Sequence, residues 1–199
     1  MLPSRKNIRL KNYDYRTAGL YFITICCQDR SHLFGKIENG VLFLNDAGRM
    51  VEKWYLELEQ KFPNKKCHEM VVMPNHFHCI IENITDDIDN VTDTHDVSDA
   101  HVGAPLRGRP HDNNEKYGIH NVKRNATIGD AMDWFKTMTT NEYIRGVKKL
   151  GWKRFNGKIW QRNYYDHIIR NEQAYEKISE YILNNPKKWD ADKFHSKDC

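Results

Sequence analysis

The clearest chemically active pattern in the chain is a pair of histidines in residues 73–78 (MPNHFH). Residues i and i+2 of a β-strand point to the same face, about 6–7 Å apart along the chain. His76 and His78 would therefore point the same way, with Phe77 turned into the core. Two neighbouring imidazoles form half of a metal site. The chain has 10 histidines, so the pair alone leaves a metal site and a chance pairing both open.

A second pair of polar side chains lies near the end of the sequence. Tyr181 and Asn185 are four residues apart, so they are neighbours on one face of a predicted helix. An amide oxygen one turn from a phenol could complete a metal shell beside the phenol. Each residue also has an ordinary structural interpretation: Tyr181 as a half-buried helix aromatic, and Asn185 as a C-terminal cap before Pro186.

The elements around these pairs alternate between strands and helices. A buried strand is predicted at 19–27, a hairpin at 34–44 with its turn at Asn39-Gly40, and paired strands at about 68–73 and 77–82. Helices are predicted after Asn45 or Asp46, after Thr127, and over about 172–185, and a late strand over 159–165. This mixture predicts an α+β fold whose helices pack on one face of an antiparallel sheet.

Residues 84–126 lose this periodicity. Six aspartates are spread over positions 86–99, and Gly, Pro and Arg follow at 103–109. It predicts a mobile, solvated insertion within a single domain that spans 1–199.

Composition sets limits on the class of protein. The chain has 199 residues, 39% hydrophobic and 29% charged, which is a globular balance for one domain. Its five cysteines form no C-x-x-C pair, which favours reduced thiols and a cytoplasmic protein. The longest apolar run, at 20–27, is too short to span a bilayer.

Three segments together resemble a known family. Residues 71–81 (VVMPNHFHCII) resemble the histidine–hydrophobic–histidine motif of the single-tyrosine HUH transposases of the insertion-sequence-200 type. Residues 160–170 (WQRNYYDHIIR) and 181–186 (YILNNP) are similar to the aromatic block and the tyrosine helix of their REP-associated branch. The resemblance implies a ferredoxin-like or RRM-like α+β sheet with the histidine pair on a central strand.

The resemblance also implies the roles of the paired residues. His76 and His78 would be catalytic metal ligands, Asn185 the third ligand, and Tyr181 the nucleophile; related enzymes outside the branch use Gln in place of Asn. The implied metal is Mg²⁺ or Mn²⁺, since amide, water and phosphate oxygens suit a hard ion. The implied partner is single-stranded or stem-loop DNA, bound by a monomer or a homodimer.

The expected reaction is a transesterification through Tyr181. The phenol attacks a scissile phosphate, forms a 5′-phosphotyrosine and releases a 3′-hydroxyl, which needs no nucleotide cofactor. His167 and water are alternative bases for the phenol proton. If Tyr181 were not the nucleophile, Tyr164 and Tyr165 would be the next candidates.

Basic residues predict where DNA binds. They interleave with aromatics such as Trp152, Phe155 and Trp189, which could stack on unpaired bases. A merely solvated basic surface is the alternative for each group, because the net charge is only +4. The DNA-binding candidates are Arg5, Lys6, Arg9, Lys11, Lys149, Lys153, Arg154, Arg162, His167 and Arg170, together with Lys187 and Lys188.

Two other functions stay open on the sequence. One is a catalytically silent or domesticated DNA hairpin-binding protein. The other is a metal-dependent nuclease that uses water, which would leave free 5′-phosphate ends and no protein–DNA adduct.

Overall fold

The structure, a computed structural model, describes residues 13–84 and 125–195. The predicted insertion, apart from its two ends, and the basic arm with Arg5, Lys6, Arg9 and Lys11 lie outside the described residues. The strands are β1 (Gly19–Cys26), β2 (Gly35–Glu38), β3 (Val41–Leu44), β4 (Lys65–Met73), β5 (His76–Asn83) and β6 (Tyr165–Ile169). The helices are α1 (Asp46–Leu56), α2 (Leu58–Lys61), α3 (Ile128–Lys149) and α4 (Glu172–Asn184), with 3-10 turns at Gln28–Arg30 and Pro186–Ala191.

Four strands form the main sheet, in the order β4-β5-β1-β6 with every neighbouring pair antiparallel. Along the chain these strands and the long helices follow one another as β1, α1, β4, β5, α3, β6. This chain order and this strand order together are the ferredoxin-like arrangement. The predicted α+β fold class is confirmed, and the histidine pair lies on β5, a central strand.

One face of the sheet packs against α1 and α3. Phe77 of β5 stacks on Phe135 of α3 with ring centroids 5.1 Å apart, and Trp54 of α1 meets Trp134 of α3 at 5.5 Å. Both helices begin at side-chain caps, as the sequence predicts: Asn45 accepts from the Gly48 N–H, and Thr127 forms a capping box with Asp130.

The opposite face carries α4 and the 3-10 turn that follows it. Val71, Met73 and Ile80 of the sheet pack there in a second buried cluster that includes Ile182 and Trp189. The prediction placed the helices on one face, and α1 and α3 follow it while α4 does not. The physical reason is that the face opposite Phe77 also carries apolar side chains, which the Tyr175, Ile178 and Ile182 stripe of α4 covers.

Two local predictions have different outcomes. The hairpin turn is confirmed, since Asn39 and Gly40 both adopt positive φ (52° and 74°), as a type I′ turn requires. The late strand was predicted at 159–165, but β6 begins at Tyr165 and Trp160 forms only an isolated bridge with Cys27. Trp160 is instead buried in the core, where its indole N–H donates to Thr139.

Among the described residues, no helix combines the length and the apolar character that crossing a bilayer demands. Four of the cysteines, namely Cys26, Cys27, Cys67 and Cys79, are free thiols.

Candidate active site

The histidine pair points to the α4 side of the sheet and is buried there. The His76 and His78 rings lie with centroids 4.6 Å apart and are 0% and 1% exposed. Phe77 points to the opposite face, into the main core. The alternation predicted from the sequence is therefore the one observed.

Hydrogen bonds fix which nitrogen of each histidine faces the site. The Asn75 amide donates to the backbone carbonyl of Phe194 (2.9 Å), so its oxygen faces Nδ1 of His76 at 2.8 Å. An amide oxygen can only accept, so Nδ1 carries the proton and Nε2 of His76 keeps a lone pair. Nδ1 of His78 lies 2.8 Å from the Thr24 hydroxyl, which can either donate to it or accept from it, and Nε2 of His78 faces the Tyr181 hydroxyl.

Helix α4 places the predicted tyrosine and asparagine beside the pair. The Tyr181 hydroxyl lies 3.3 Å from Nε2 of His78. Burial and the nearby Asp192 carboxylate raise the pKa of Tyr181, while a hydrogen bond from Asn185 opposes that rise. Asn185 is 2% exposed and closes the last turn of the helix. The structure thus brings together His78, Tyr181 and Asn185 from two distant parts of the chain.

Asp192 is a site residue that no pattern in the sequence predicts. Its Oδ2 atom lies 3.7 Å from Nε2 of His76, and its side chain is only 5% exposed. His76, His78 and Asp192 each offer one possible ligand atom, and these three atoms lie within 4.8 Å of one another. The carboxylate follows the 3-10 turn Pro186–Ala191, where no helical or strand spacing relates it to Asn185.

The segment that carries Asp192 is tied to the body of the protein on both sides of the carboxylate. On one side, Trp189 is buried and stacks on His76 with ring centroids 6.1 Å apart. On the other, Arg30 donates to the Lys193 carbonyl (2.8 Å) and Asn75 to that of Phe194. The Phe194 ring lies 4.8 Å from that of His76.

Three buried polar atoms at this centre lack a hydrogen-bond partner within the described parts of the chain. They are Nε2 of His76, Oδ1 of Asn185 and Oδ2 of Asp192. Burial lowers the pKa of His76 to about 3, helped by Arg30 and Lys193, so its imidazole is neutral and a lone pair faces the carboxylate. Buried acceptors without donors are costly, and a cation among them removes that cost. Two imidazole nitrogens, an amide oxygen and a carboxylate oxygen form a set that fits a divalent metal ion.

A cavity of about 840 Å³ leads to this centre. Its walls come from β1, β5, β6, α4 and the segment after α4. The lining residues are Phe22, Thr24, His78, Tyr165, His167, Ile178, Tyr181, Asn185, Lys188, Ala191, Asp192, Lys193 and Phe194. Of the predicted DNA-binding residues in the described part, His167 and Lys188 line the cavity, while Lys149, Lys153, Arg154, Arg162, Arg170 and Lys187 are exposed elsewhere.

Several aromatics predicted to stack on bases have other contacts. Trp189 is buried against His76, and Trp152 and Phe155 pack on Tyr143 at 5.3 and 5.5 Å. The interpretation is wrong for Trp189, whose buried ring fastens its segment to the core, whereas for Trp152 and Phe155, which are only partly buried, it stays a prediction. Of the two alternative nucleophiles, Tyr164 is buried in the main core and Tyr165 lines the cavity.

The fold is shared with a known transposase. The structure of a REP-associated tyrosine transposase bound to a REP hairpin matches with a TM-score of 0.51 and 18% identity, over 90% of this chain and 74% of that one. A candidate transposase of Deinococcus radiodurans matches with a TM-score of 0.42 and 12% identity, over 88% of this chain and 95% of that one. The first match confirms, at the level of the fold, the resemblance found in the motifs.

Sequence comparison finds a relative that matches nearly the whole chain. An uncharacterized protein of Haemophilus influenzae (strain Rd) is 38% identical over 194 residues, which are 96% of this chain and 93% of the relative. The chain belongs to the same family as that protein. No protein-family model matches the chain.

Proposed function

We propose that the protein is a transposase that cleaves and rejoins single-stranded, hairpin-containing DNA through a covalent bond to Tyr181. The observation that carries this proposal is the meeting of the Tyr181 hydroxyl with His78 beside a buried cluster of unpaired acceptors. A phenol beside a metal centre is the machinery that a tyrosine strand transferase needs. The shared fold and the motif order give independent support.

His76, His78, Asn185 and Asp192 are the residues that would hold Mg²⁺ or Mn²⁺. When bound, the ion supplies positive charge that polarises the scissile phosphate and stabilises the charge that develops on it. Thr24 and Asn75 orient the two imidazoles, each by a contact to Nδ1.

Tyr181 is the nucleophile of the proposed transesterification. Its oxygen forms a bond to phosphorus as the bond between phosphorus and the 3′-oxygen breaks, so a 5′-phosphotyrosine forms and a 3′-hydroxyl leaves. The proton that the phenol loses is matched by the one that the 3′-oxygen gains. A 3′-hydroxyl of a second strand reverses these steps and joins new ends. The raised pKa of Tyr181 means that the free phenol is protonated at neutral pH.

One chain contains the whole proposed centre. Tyr181 reaches His78 of its own chain, which is the arrangement that a monomer acting in cis requires. DNA is the proposed partner, because the related transposase structure is bound to a REP hairpin. Reduced thiols at the four free cysteines fit work in the cytoplasm.

The deciding experiment is a covalent-capture assay in Mn²⁺. The protein is incubated with end-labelled DNA stem-loops taken from the flanks of its gene and separated on a denaturing gel. We expect an adduct with the wild-type protein and none with Tyr181→Phe. Tyr175→Phe is the matched control on the same helix, since Tyr175 contacts Glu69 away from the centre, and Tyr165→Phe tests the other phenol in the cavity.

Three outcomes would overturn the proposal. An adduct that persists in Tyr181→Phe would move the nucleophile elsewhere. Cleavage that leaves free 5′-phosphates and no adduct would identify a nuclease that uses water. Tight hairpin binding without any cleavage in Mn²⁺ would identify a silent hairpin-binding protein.

A further inference from the structure

Helix α4 covers only part of the sheet face that bears the histidine pair. Most of its contacts with the sheet fall on β4 and β5. The remainder of that face belongs to β1 and the edge strand β6. In the pairing of β1 with its two neighbours, Thr24 lies opposite both His78 and Tyr165, and Phe22 lies opposite His167. Directly opposed residues of antiparallel strands point to the same face, so Tyr165 and His167 share the face of His78.

Tyr165 is an aromatic side chain that the fold itself does not use. It is 51% exposed, and its hydroxyl and ring have no hydrogen bond or ring contact within the described parts of the chain. Phe22, on the same face of the sheet, has ring contacts instead. Phe22 stacks on His78 at 5.3 Å and meets Tyr181 edge-on at 6.0 Å. Tyr165 and Phe22 both line the cavity that leads to the Tyr181 hydroxyl.

The same cavity carries positive charge. Lys188 and Lys193, on the segment after α4, line it and are exposed, whereas the Asp192 carboxylate that also lines it is only 5% exposed. Cations bind backbone phosphates, and an exposed aromatic face stacks on an unpaired base of any sequence. RRM domains bind unpaired bases in the same way, through aromatics on the open face of a four-stranded sheet. A cavity of about 840 Å³ has room for a nucleotide.

We propose that Tyr165 is a stacking platform for one unpaired base next to the scissile phosphate, and that Lys188 and Lys193 bind the adjoining phosphates. The ligand is the single-stranded DNA segment that leaves the stem-loop. This inference rests on the proposed function for its substrate, but it assigns a binding role to residues that the chemistry does not require. It also gives the second phenol in the cavity a role other than nucleophile.

The test measures binding without chemistry, in the Tyr181→Phe background. The probe is a fluorescein-labelled DNA hairpin with single-stranded tails, and affinity is read by anisotropy at constant salt. We expect Tyr165→Ala to bind about 5- to 100-fold more weakly and Tyr165→Phe to bind normally, because stacking needs the ring and not the hydroxyl. Phe43→Ala is the matched control: Phe43 is 49% exposed on β3, outside the cavity, and its removal is expected to leave affinity unchanged.

A scan of abasic sites along the tails locates the stacked base. At one position of the tail, removing the base should weaken binding to the protein that retains Tyr165. The same abasic probe should bind the Tyr165→Ala protein as tightly as the intact probe does. The inference is overturned if Tyr165→Ala binds the hairpin as tightly as its parent protein does. It is also overturned if the loss of affinity from Tyr165→Ala is additive with the loss from an abasic site at every position tested. The proposed function fails separately, if the wild-type protein forms no adduct while these binding differences remain.

Discussion

The Thr24 hydroxyl and Nδ1 of His78 lie 2.8 Å apart, across directly opposed positions of β1 and β5. Both residues are buried, at 4% and 1% exposure. The contact fixes the ring so that Nε2 faces the cavity and the Tyr181 hydroxyl. A neutral imidazole binds metal through the nitrogen that carries no proton, so metal binding at Nε2 requires the proton of His78 on Nδ1, where the Thr24 hydroxyl can accept its hydrogen bond.

Thr24→Val is therefore expected to weaken Mn²⁺ binding about 10- to 100-fold, the usual loss when the partner of a ligating histidine is removed. Valine preserves the shape of the side chain but leaves the Nδ1 proton of His78 without an acceptor. Thr24→Ser keeps the hydroxyl and should bind Mn²⁺ as the wild-type protein does. Isothermal titration of the three proteins with Mn²⁺ decides the matter, and equal affinities for valine and threonine would refute the role of Thr24.

Helix α3 supports the sheet from the other side, and its first turn is fastened by a capping box. Thr127 accepts from the Asp130 N–H at 3.0 Å, and the Thr127 N–H donates to Asp130 at 2.9 Å. Thr127→Ala should lower the free energy of unfolding by about 1 kcal/mol, measured by urea denaturation, whereas Thr127→Ser should lower it much less. Because the cap lies away from the histidine face, Mn²⁺ affinity should be the same in all three proteins. A change in affinity would mean that the two faces of the sheet are coupled.

Much of this architecture follows from local patterns. The alternation around Phe77 predicts which way the histidines face, because strand periodicity is set by the backbone. The spacing of Tyr181 and Asn185 predicts their common helix face for the same reason. Asn45 and Thr127 mark helix starts because their side chains satisfy free N–H groups. In each case the deciding interaction is short in sequence.

The features that the sequence does not predict depend on contacts between distant residues. Asp192 reaches His76 because Arg30 and Asn75 hold the backbone of its segment, and none of these pairings has a fixed spacing. The start of β6 is set by its register with β1 and not by the apolar run at 159–165. The side of the sheet that α4 occupies is likewise a choice between two faces that both carry apolar residues.

Asp192 provides the sharpest test of the metal centre, since its proposed role predicts opposite effects of Asp192→Asn on the stability of the metal-free and the metal-bound protein. Its Oδ1 atom accepts from the Phe194 N–H at 2.8 Å, while Oδ2 faces the lone pair of His76. In Asp192→Asn the amide oxygen can keep the first contact, and the amide N–H can donate to His76. Without metal, the variant should therefore be more stable than the wild-type protein, by about 1 kcal/mol in urea unfolding.

With Mn²⁺ the order should reverse. At an ion concentration about 100 times its Kd, binding stabilises the wild-type protein by about 2.7 kcal/mol, and Asp192→Asn should lose most of that gain because it offers the ion no carboxylate. Asp190→Asn is the control: Asp190 is exposed two residues earlier and has the same chemistry, so it should change neither value. A purely structural carboxylate would make Asp192→Asn less stable in both conditions and leave its Mn²⁺ response intact. Only a metal ligand at this position makes Asp192→Asn more stable than the wild-type protein without Mn²⁺ and less stable with it.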